Sequence, residues 1–215
     1  MLIKNLRNPP ASPKLPSSTN GTMIAGITGG MGCGKSTVAR LLEQRGFRRL
    51  DSDELVRNHV LRDPAVIAAL RARFGDQVLT PSGEVDRLAL ARCVFEREAE
   101  LRWLEELTHP AVFALWRAAF AEAPDARWIV EVPLLFEKRL ENWFDFTVCV
   151  ACSPAQQLVR LEQRGVPRAL AGQRISKQLP LAQKIEYSDI VLWNEGSTEF
   201  LQAEIDRLAL ALAAA

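Results

Sequence analysis

Gly29-Gly30-Met31-Gly32-Cys33-Gly34-Lys35-Ser36-Thr37 is the stretch of sequence that decides the fold. It matches the pattern of a glycine, four residues and then Gly-Lys-Ser/Thr, which is typical of a loop that binds nucleotide phosphates. Glycines let successive backbone N–H groups turn toward one centre, because a Cβ atom would block both the turn and the approach of a phosphate. The pattern predicts that Lys35 reaches the β- and γ-phosphate oxygens and that the Ser36 hydroxyl binds Mg²⁺.

The segments on both sides of this loop predict the elements that a phosphate loop requires. Residues 23–28 form an apolar run of the length of a short buried strand, and Val38, Leu41 and Leu42 follow at helical spacing. The N-terminus of such a helix favours anions, because its first N–H groups have no partner within the helix. A glycine-rich turn that matches by chance is the alternative, and the order of strand, loop and helix argues against it.

Strand and helix patterns alternate along the rest of the chain. This alternation predicts an α/β fold with a five-stranded parallel sheet and helices on both faces. The other strands are expected at 47–50, 128–132, 144–152 and 189–194. The last helix, 198–212, is expected to turn Phe200, Leu201, Ile205, Leu208 and Leu212 inward.

The same patterns predict the domain organisation. Within a domain of residues 23–215, we expect a core at 23–53 and 127–215, a helical insertion at 54–124 and a helical lid at about 160–186. In the insertion, Asp86 is expected to cap one helix, and His109-Pro110 is expected to separate two others. Residues 1–22 are rich in proline and lack the apolar centre of a signal peptide, so we expect a disordered extension.

Composition limits the classes of function. The chain has 215 residues and a formal net charge of +1, so no global field attracts it to nucleic acid or to a membrane surface. No apolar run approaches the roughly 20 residues that span a bilayer. These features argue against nucleic-acid and membrane partners. We expect small-molecule substrates and a monomer or a weak homo-oligomer.

The cysteines do not suggest a disulfide framework. Cys33 lies in the phosphate loop, where a disulfide would obstruct function, so we expect a reducing cytoplasm. Cys149 and Cys152 form a C-x-x-C pair. A zinc site needs about four ligands, so we favour two thiols at the end of a buried strand, with a redox pair as the alternative.

Three carboxylates are candidates for chemistry. Asp51 and Asp53 follow the second strand, at the edge where open α/β sheets bind ligands. The alternative for Asp53 is to cap a helix that begins at Glu54, and the sequence leaves the two interpretations open. Glu131 lies inside a buried strand, where a charge requires a partner. Glu131 is therefore a candidate for an indirect role in a Mg²⁺ site, in which it contacts a ligand of the ion. A buried salt bridge is the alternative.

Histidine and arginine side chains supply further candidates. His109 is either a ligand-binding residue or a histidine at a helix boundary, and its residue type alone favours the second. Arg160 and Arg164 lie four residues apart on one predicted helix, with Arg174 on the next. They form either a solvated basic face or a lid that brings guanidinium groups onto a transferring phosphate.

Two classes of phosphate-loop protein compete, a small-molecule kinase and a GTP-dependent switch. The Asn-Lys-x-Asp and Asp-x-x-Gly segments of a GTPase do not occur in the sequence. A kinase needs a site for the acceptor, a carboxylate near the acceptor hydroxyl and cations over the phosphates. The helical insertion, Asp53 and the arginine-bearing helices supply candidates for all three, so we favour the kinase.

Several further motifs resemble those of the dephospho-coenzyme A kinases. The phosphate loop followed by Asp51-Ser52-Asp53 is similar to that family, and Pro133-Leu134-Leu135-Phe136-Glu137 is specific to it. The similarity covers residues 23 to about 210. The remaining motifs are Asp86-Arg87, Val94-Phe95, His109-Pro110, Gln178, and Asp189 with Asn194 and Gly196.

The resemblance implies ATP-dependent phosphorylation of the ribose 3′-hydroxyl of dephospho-coenzyme A, the last step of coenzyme A synthesis. It implies that Asp53 is the catalytic base, that Lys35 stabilises the γ-phosphoryl charge and that Arg164 acts from the lid. The ATP-binding set that it implies is Gly32, Cys33, Gly34, Lys35, Ser36, Thr37, Arg160, Arg174 and Asn194. The acceptor-binding set is Asp53, Arg57, His109, Leu134, Phe136 and Glu137. Another kinase of this fold, such as one that acts on a nucleoside monophosphate, is the alternative.

The chain departs from the family pattern in three places. Ser52 replaces the usual alanine between the two aspartates. Glu131 replaces an aspartate, which moves the carboxylate by about one methylene, roughly 1.5 Å, and weakens the case for its Mg²⁺ role. The proline-rich extension has no counterpart in the family pattern.

Overall fold

The computed structural model describes the backbone of residues 2–3 and all of residues 23–94 and 97–213. Most of the predicted extension, and Phe95, therefore lie outside the described residues. The chain divides into two compact units. The first, the sheet unit, comprises Met1–Leu50 and Ala123–Ala215, and the second, the helical unit, comprises Asp51–Glu122.

The sheet has the parallel α/β organisation that the alternating patterns predict. Its order is β1-β6-β5-β2-β4-β3, and β2 runs parallel to β4 and β5, while β5 runs parallel to β6. Strand β2 is therefore central, and the phosphate loop follows its carboxyl end, where such sheets bind ligands. The strands are β1 (Leu2–Ile3), β2 (Ile24–Gly29), β3 (Arg48–Asp51), β4 (Trp128–Glu131), β5 (Phe146–Ala151) and β6 (Ile190–Trp193).

Strand β1 is a difference from the sequence-based expectation. Leu2 and Ile3 pair antiparallel with Val191 and Ile190 of β6, and so add a sixth strand at the sheet edge. The prediction of a disordered extension is therefore wrong at these two positions. A lone apolar pair beside many prolines carries no periodicity, so local pattern did not indicate a strand.

The described part of the sheet unit also contains five α-helices. They are α1 (Lys35–Glu43), α6 (Pro154–Gln163), α7 (Arg168–Ser176), α8 (Leu181–Tyr187) and α9 (Thr198–Ala213). Ser153 caps α6 as its sequence position predicts, because its side chain accepts a hydrogen bond from the Gln156 N–H. Helix α8 packs against β2 and β5, so residues 181–186, at the end of the predicted lid, contact the sheet.

One side chain of α9 departs from the expected pattern. Leu201, Ile205 and Leu208 are buried as predicted, whereas Phe200 is 51% exposed. Phe200 precedes the first residue of the buried stripe by one position, which rotates its side chain by about 100° away from the core. No helix in the described parts of the chain is both long enough and apolar enough to span a membrane.

Four α-helices lie in the described part of the helical unit, and an aspartate side chain caps the start of three of them. Asp63 accepts from the Ala65 N–H at the start of α3, and Asp86 accepts from the Leu88 and Ala89 N–H groups at the start of α4. The helices are α2 (Ser52–Asn58), α3 (Pro64–Phe74), α4 (Arg87–Val94) and α5 (Glu98–Glu122).

Helix α5 contradicts the predicted break at His109-Pro110. It runs for 25 residues with Pro110 inside it. Proline removes one backbone N–H from the helical ladder, which costs about 3 kcal/mol in an isolated helix interior. The buried side chains of Val112, Trp116 and Phe120 continue the stripe beyond the proline, and we attribute the persistence of the helix to their packing.

Candidate active site

The backbone of the phosphate loop adopts conformations that favour glycine. Gly32 and Gly34 have φ angles of 79° and 97°, in the left-handed region. A Cβ atom on Gly34 would also meet the Asn194 amide nitrogen. These glycines therefore allow the tight turn that leads directly into helix α1.

Three buried or partly buried side chains outside the loop hold its carbonyl groups. The Asn194 side-chain amide donates to the Cys33 carbonyl at 2.8 Å, and the Gln157 amide donates to the Met31 carbonyl at 2.7 Å. Arg160 donates to the Cys33 carbonyl at 3.3 Å and to the Asn194 backbone carbonyl at 2.9 Å. Arg160 and Asn194, which were predicted to contact ATP, thus contact the loop that is predicted to hold it.

These contacts fix the direction of the loop's N–H groups. In a planar trans peptide the C=O and N–H bonds point in opposite directions. Because the Met31 and Cys33 carbonyls point toward the supporting side chains, the N–H groups of Gly32 and Gly34 point away from them. The result is a pair of similarly anchored donors of the kind that binds phosphate oxygens.

Lys35 folds over the same loop. Its Nζ atom donates to the Gly29 carbonyl at 3.1 Å and to the Gly30 carbonyl at 3.0 Å. An ionised phosphate oxygen carries a negative charge that a neutral carbonyl oxygen lacks, so it attracts the ammonium group more strongly. A phosphate oxygen can therefore compete well for this ammonium group.

Glu131 forms the buried salt bridge that was one of its two interpretations, and its Mg²⁺ role stays a prediction. It is only 3% exposed, and Arg49 forms an ion pair with its Oε1 atom at 2.6 Å. The Ser36 hydroxyl donates to its Oε2 atom at 2.8 Å. Hydroxyl and carboxylate oxygens are ligands of the type that Mg²⁺ prefers, so the pair fits a Mg²⁺ site in chemical type.

The loop after β4 is joined to helix α8 by a buried ion pair. Lys184 is fully buried and lies 2.8 Å from Glu137 Oε1 and 2.8 Å from the Pro133 carbonyl. Glu137 also accepts from the Leu179 N–H at 3.0 Å. Glu137, predicted to line the acceptor side, therefore serves as an anchor between two segments of the sheet unit.

Two hydrophobic side chains of the same loop remain accessible. Leu134 is 36% exposed, and Phe136 is half-buried, with its ring 5.7 Å from the Tyr187 ring in an edge-to-face arrangement. Their predicted contact with the acceptor stays a prediction.

The arginines of the predicted lid lie on exposed positions. Arg164 follows the last residue of α6, and Arg174 lies in the last turn of α7. Both residues are exposed, so each can approach a ligand at little desolvation cost. Their predicted roles in ATP binding and catalysis stay predictions.

In the helical unit, the two aspartates of the Asp-Ser-Asp segment have different environments. Asp51, not Asp53, caps α2, because its side chain accepts from the Glu54 N–H at 3.0 Å. The helix begins at Ser52, which places Asp53 in its first turn with an exposed side chain. The capping alternative for Asp53 is therefore wrong, because Asp51 occupies that position.

Arg57 lies one helical turn beyond Asp53 and donates to its backbone carbonyl at 3.1 Å. It lines a cavity of about 390 Å³ in the helical unit, together with the exposed residues Arg62 and Arg87. The cavity also contains the carboxylates of Glu54 and Glu84. Guanidinium groups around a cavity favour ligands that carry phosphate or carboxylate groups.

His109 does not lie at a helix boundary. It is half-buried inside α5, and its ring lies 5.7 Å from the Phe113 ring one turn further along the helix. Its predicted contact with the acceptor stays a prediction.

The C-x-x-C pair behaves as two buried thiols, as the sequence favoured. Cys149 and Cys152 are both at most 1% exposed, and burial raises the pKa of Cys149 to about 12. No group of three or more His, Cys, Asp or Glu side chains among the described residues is arranged to hold a metal ion. Cys152 instead contacts the phosphate loop, with its sulfur 3.4 Å from that of Cys33.

Comparison with known proteins gives the family. A family model described as dephospho-CoA kinase matches residues 23–199. The chain belongs to the dephospho-CoA kinase family. A dephospho-CoA kinase from Thermosynechococcus vestitus is 43% identical over 184 residues, which cover 85% of this chain and 91% of that protein. One from Geobacter metallireducens is 39% identical over 187 residues, which cover 85% and 93%.

Solved structures agree with the fold. The protein TT1252 from Thermus thermophilus matches with a TM-score of 0.79 and 34% identity, over 89% of this chain and 98% of that one. A dephospho-CoA kinase from Campylobacter jejuni matches with a TM-score of 0.60 and 21% identity, over 89% and 97%. The second similarity supports the fold alone. The resemblance stated from the motifs is thus confirmed at the level of the family.

Sequence reasoning missed three residues of the site in this member of the dephospho-CoA kinase family. Gln157 supports the phosphate loop, Arg49 pairs with Glu131, and Lys184 pairs with Glu137. The sequence pattern indicates that Gln157 is buried, since it lies four residues before Leu161 on the buried face of α6. No pattern indicates the roles of Arg49 and Lys184, because their partners are distant in sequence and charged residues are usually exposed.

Proposed function

We propose that this chain transfers the γ-phosphoryl group of ATP to the 3′-hydroxyl of the ribose of dephospho-coenzyme A, giving coenzyme A and ADP. The observation that carries the proposal is an anchored phosphate loop in a chain that a dephospho-CoA kinase family model matches over residues 23–199. Phosphoryl transfer requires little covalent chemistry of the protein, so positioning and electrostatic stabilisation provide most of the catalysis.

At the ATP end, the backbone of residues 32–37 binds the phosphates, and Lys35 moves from the two loop carbonyls onto the γ-phosphoryl oxygens. Asn194, Arg160 and Gln157 keep the loop in its binding shape through the carbonyl contacts at 2.7–3.3 Å. Because the donors are already oriented, little reorganisation accompanies the development of charge on the transferring group.

The Ser36 hydroxyl and the Glu131 carboxylate would hold Mg²⁺, with Ser36 as a direct ligand and Glu131 acting through it. Their 2.8 Å hydrogen bond supports this pairing, and the Arg49 guanidinium group forms an ion pair with the buried carboxylate. Mg²⁺ held by these residues would neutralise part of the charge on the phosphates.

On the acceptor side, Asp53 accepts or orients the proton of the 3′-hydroxyl, and its exposed carboxylate is suited to that task. Arg57 lies one turn away, and with Arg62 and Arg87 it provides the positive charge that the diphosphate of the acceptor requires. His109, Leu134, Phe136 and the Glu137 loop complete the acceptor contacts.

Arg164 and Arg174 act from a lid centred on α7, where their guanidinium groups reach the phosphates and stabilise the transferring charge. Helix α8 stays packed on the sheet, because Lys184 and Glu137 anchor it. Lid closure excludes water, which suppresses ATP hydrolysis without transfer. We further propose that the enzyme acts in the cytoplasm as a monomer or a weak homo-oligomer.

An acceptor panel tests the proposal. The protein with Mg-ATP is supplied with dephospho-coenzyme A, AMP, CMP or adenosine, and ADP release is followed in each case. Of the four acceptors, we expect only dephospho-coenzyme A to give rapid ADP release. Faster release with a nucleoside monophosphate would instead favour the other small-molecule kinase of this fold.

A further inference from the structure

Two thiols from distant parts of the sequence meet behind the phosphate loop. Cys33 lies between Gly32 and Gly34, and Cys152 follows the last residue of β5. Their sulfur atoms lie 3.4 Å apart, with the Cys152 S–H group donating to Cys33, and both side chains are at most 1% exposed. Neither thiol has a part in phosphoryl transfer.

The surroundings make these thiols chemically unequal. The hydrogen bond from Cys152 lowers the pKa of Cys33 to about 7, and the positive charge of Lys35 adds to this effect, against the opposing effect of burial. The same hydrogen bond and burial raise the pKa of Cys152, and Arg160 and Glu195 act on it with opposite signs. Cys149, buried in β5, also lies near Cys33. The pKa of Cys33 is therefore the lower of the two, and Cys33 is the thiol that more readily forms a thiolate.

We propose that Cys33 and Cys152 are a modification site, at which a hydroperoxide converts the two thiols into a disulfide that disables the phosphate loop. The loss of activity rests on the proposed role of this loop in holding ATP. The formation of the disulfide does not depend on that role.

The reaction balances in two steps. The Cys33 thiolate attacks an oxygen of the hydroperoxide, the O–O bond breaks, and the leaving oxygen takes a proton, which leaves Cys33 as a sulfenic acid. Cys152 then attacks the Cys33 sulfur, loses its proton and forms the S–S bond, while water leaves. Two electrons pass from the thiols to the peroxide.

Closure of the disulfide displaces the loop. The sulfur atoms must approach from 3.4 Å to about 2.05 Å. Asn194 and Arg160 hold the Cys33 carbonyl in its present place, so movement of this residue strains those contacts and turns the Gly34 N–H away from its binding direction. Because both sulfurs are buried, the oxidant reaches them only when the loop opens, and a bound nucleotide protects them.

The test treats the full chain with hydrogen peroxide, with and without Mg-ATP, and follows three quantities. These are the mass, which falls by about 2 Da for one disulfide, the peptide that joins Cys33 to Cys152, and the affinity for a fluorescent ATP analogue. We expect the linked peptide to accumulate in proportion to the loss of nucleotide binding. Reductant reverses both changes, Mg-ATP slows both, and both become faster as the pH rises through about 7, because the thiolate is the reacting form.

Two variants control the experiment. Cys152→Ser keeps the basal activity and loses the reductant-reversible inactivation, and Cys152→Ala repeats this result if the serine variant folds poorly. Cys149→Ser is the matched control, because Cys149 is equally buried in β5 and has no partner role in the disulfide, so this variant retains the response.

Full nucleotide binding by the cross-linked protein would overturn the inference, as would inactivation without the Cys33–Cys152 peptide. If the linked protein loses nucleotide binding but the reduced protein makes no coenzyme A, the proposed activity fails and the modification site stands.

Discussion

At the scale of single residues, Lys35 is the side chain on which the proposed chemistry depends most. Its ammonium group is held by the Gly29 and Gly30 carbonyls, within the loop that is proposed to bind the phosphates. We expect Lys35→Ala to lower kcat by roughly 10²-fold or more, since an electrostatic contact made in the transition state is lost. Steady-state kinetics measures this loss, and near-normal turnover would remove Lys35 from the catalytic group.

Asp53 is tested by comparison with its neighbour Asp51. We expect Asp53→Asn to lower kcat far more than it weakens ATP binding, because the amide cannot accept the hydroxyl proton. Asp51→Ala is the control, since Asp51 caps α2 and its loss destabilises the fold by about 0.5–2 kcal/mol without removing a base. Equal losses of kcat and ATP affinity in Asp53→Asn would exclude Asp53 as the catalytic base.

Local motifs predicted the residues of the loop, but not the residues that support it. The spacing of glycine, lysine and serine is a short-range pattern that sequence displays directly. Gln157 and Asn194 contact loop residues 126 and 161 positions earlier. No periodicity links such pairs, because they meet only after the parallel sheet brings strand ends together.

At the scale of elements, the ion pair that joins α8 to the loop after β4 gives a stability prediction. Lys184→Met should destabilise the protein by about 3–5 kcal/mol, because Glu137 is left as an uncompensated buried charge. Urea unfolding measures this change. Lys184→Met combined with Glu137→Gln should recover part of the loss.

Lys177→Met is the matched control for this experiment, because Lys177 is exposed at the end of α7. It should change the free energy of unfolding by no more than about 0.5 kcal/mol. Equal effects of Lys184→Met and Lys177→Met would show that the buried pair does not anchor α8.

Elements with strong periodicity or a capping residue were predicted well, as β2, β5, α4 and α9 illustrate. The continuous α5 was not, because proline is a reliable helix breaker only where no packing compensates for it. Strand β1 was not predicted either, since two residues carry no alternation. In both α5 and β1, tertiary contacts rather than local sequence determine the secondary structure.

At the scale of the whole molecule, exclusion of water separates a kinase from an ATPase. Without acceptor, we expect ADP release to be much slower than with dephospho-coenzyme A, because transfer to water requires a solvent-accessible phosphate. Coupled ADP detection measures both rates on the same preparation. Comparable rates with and without acceptor would contradict the proposed lid.

The fold and the family followed from the sequence because several short motifs occur in a fixed order along one α/β chain. The chemical setting of Glu131 did not follow, since it depends on Arg49 from one segment and Ser36 from another. The contact of Cys33 with Cys152 could not be predicted for the same reason, because 119 positions separate the two residues in the sequence.

The position of the new phosphate on the product tests the central claim most directly. The protein is incubated with Mg-ATP and dephospho-coenzyme A, and the product is examined by mass spectrometry and phosphorus NMR. The account predicts one added phosphate as a monoester on the ribose 3′-oxygen, and its absence in the Lys35→Ala protein. An unchanged acceptor, or a phosphate on any other oxygen, would contradict the account.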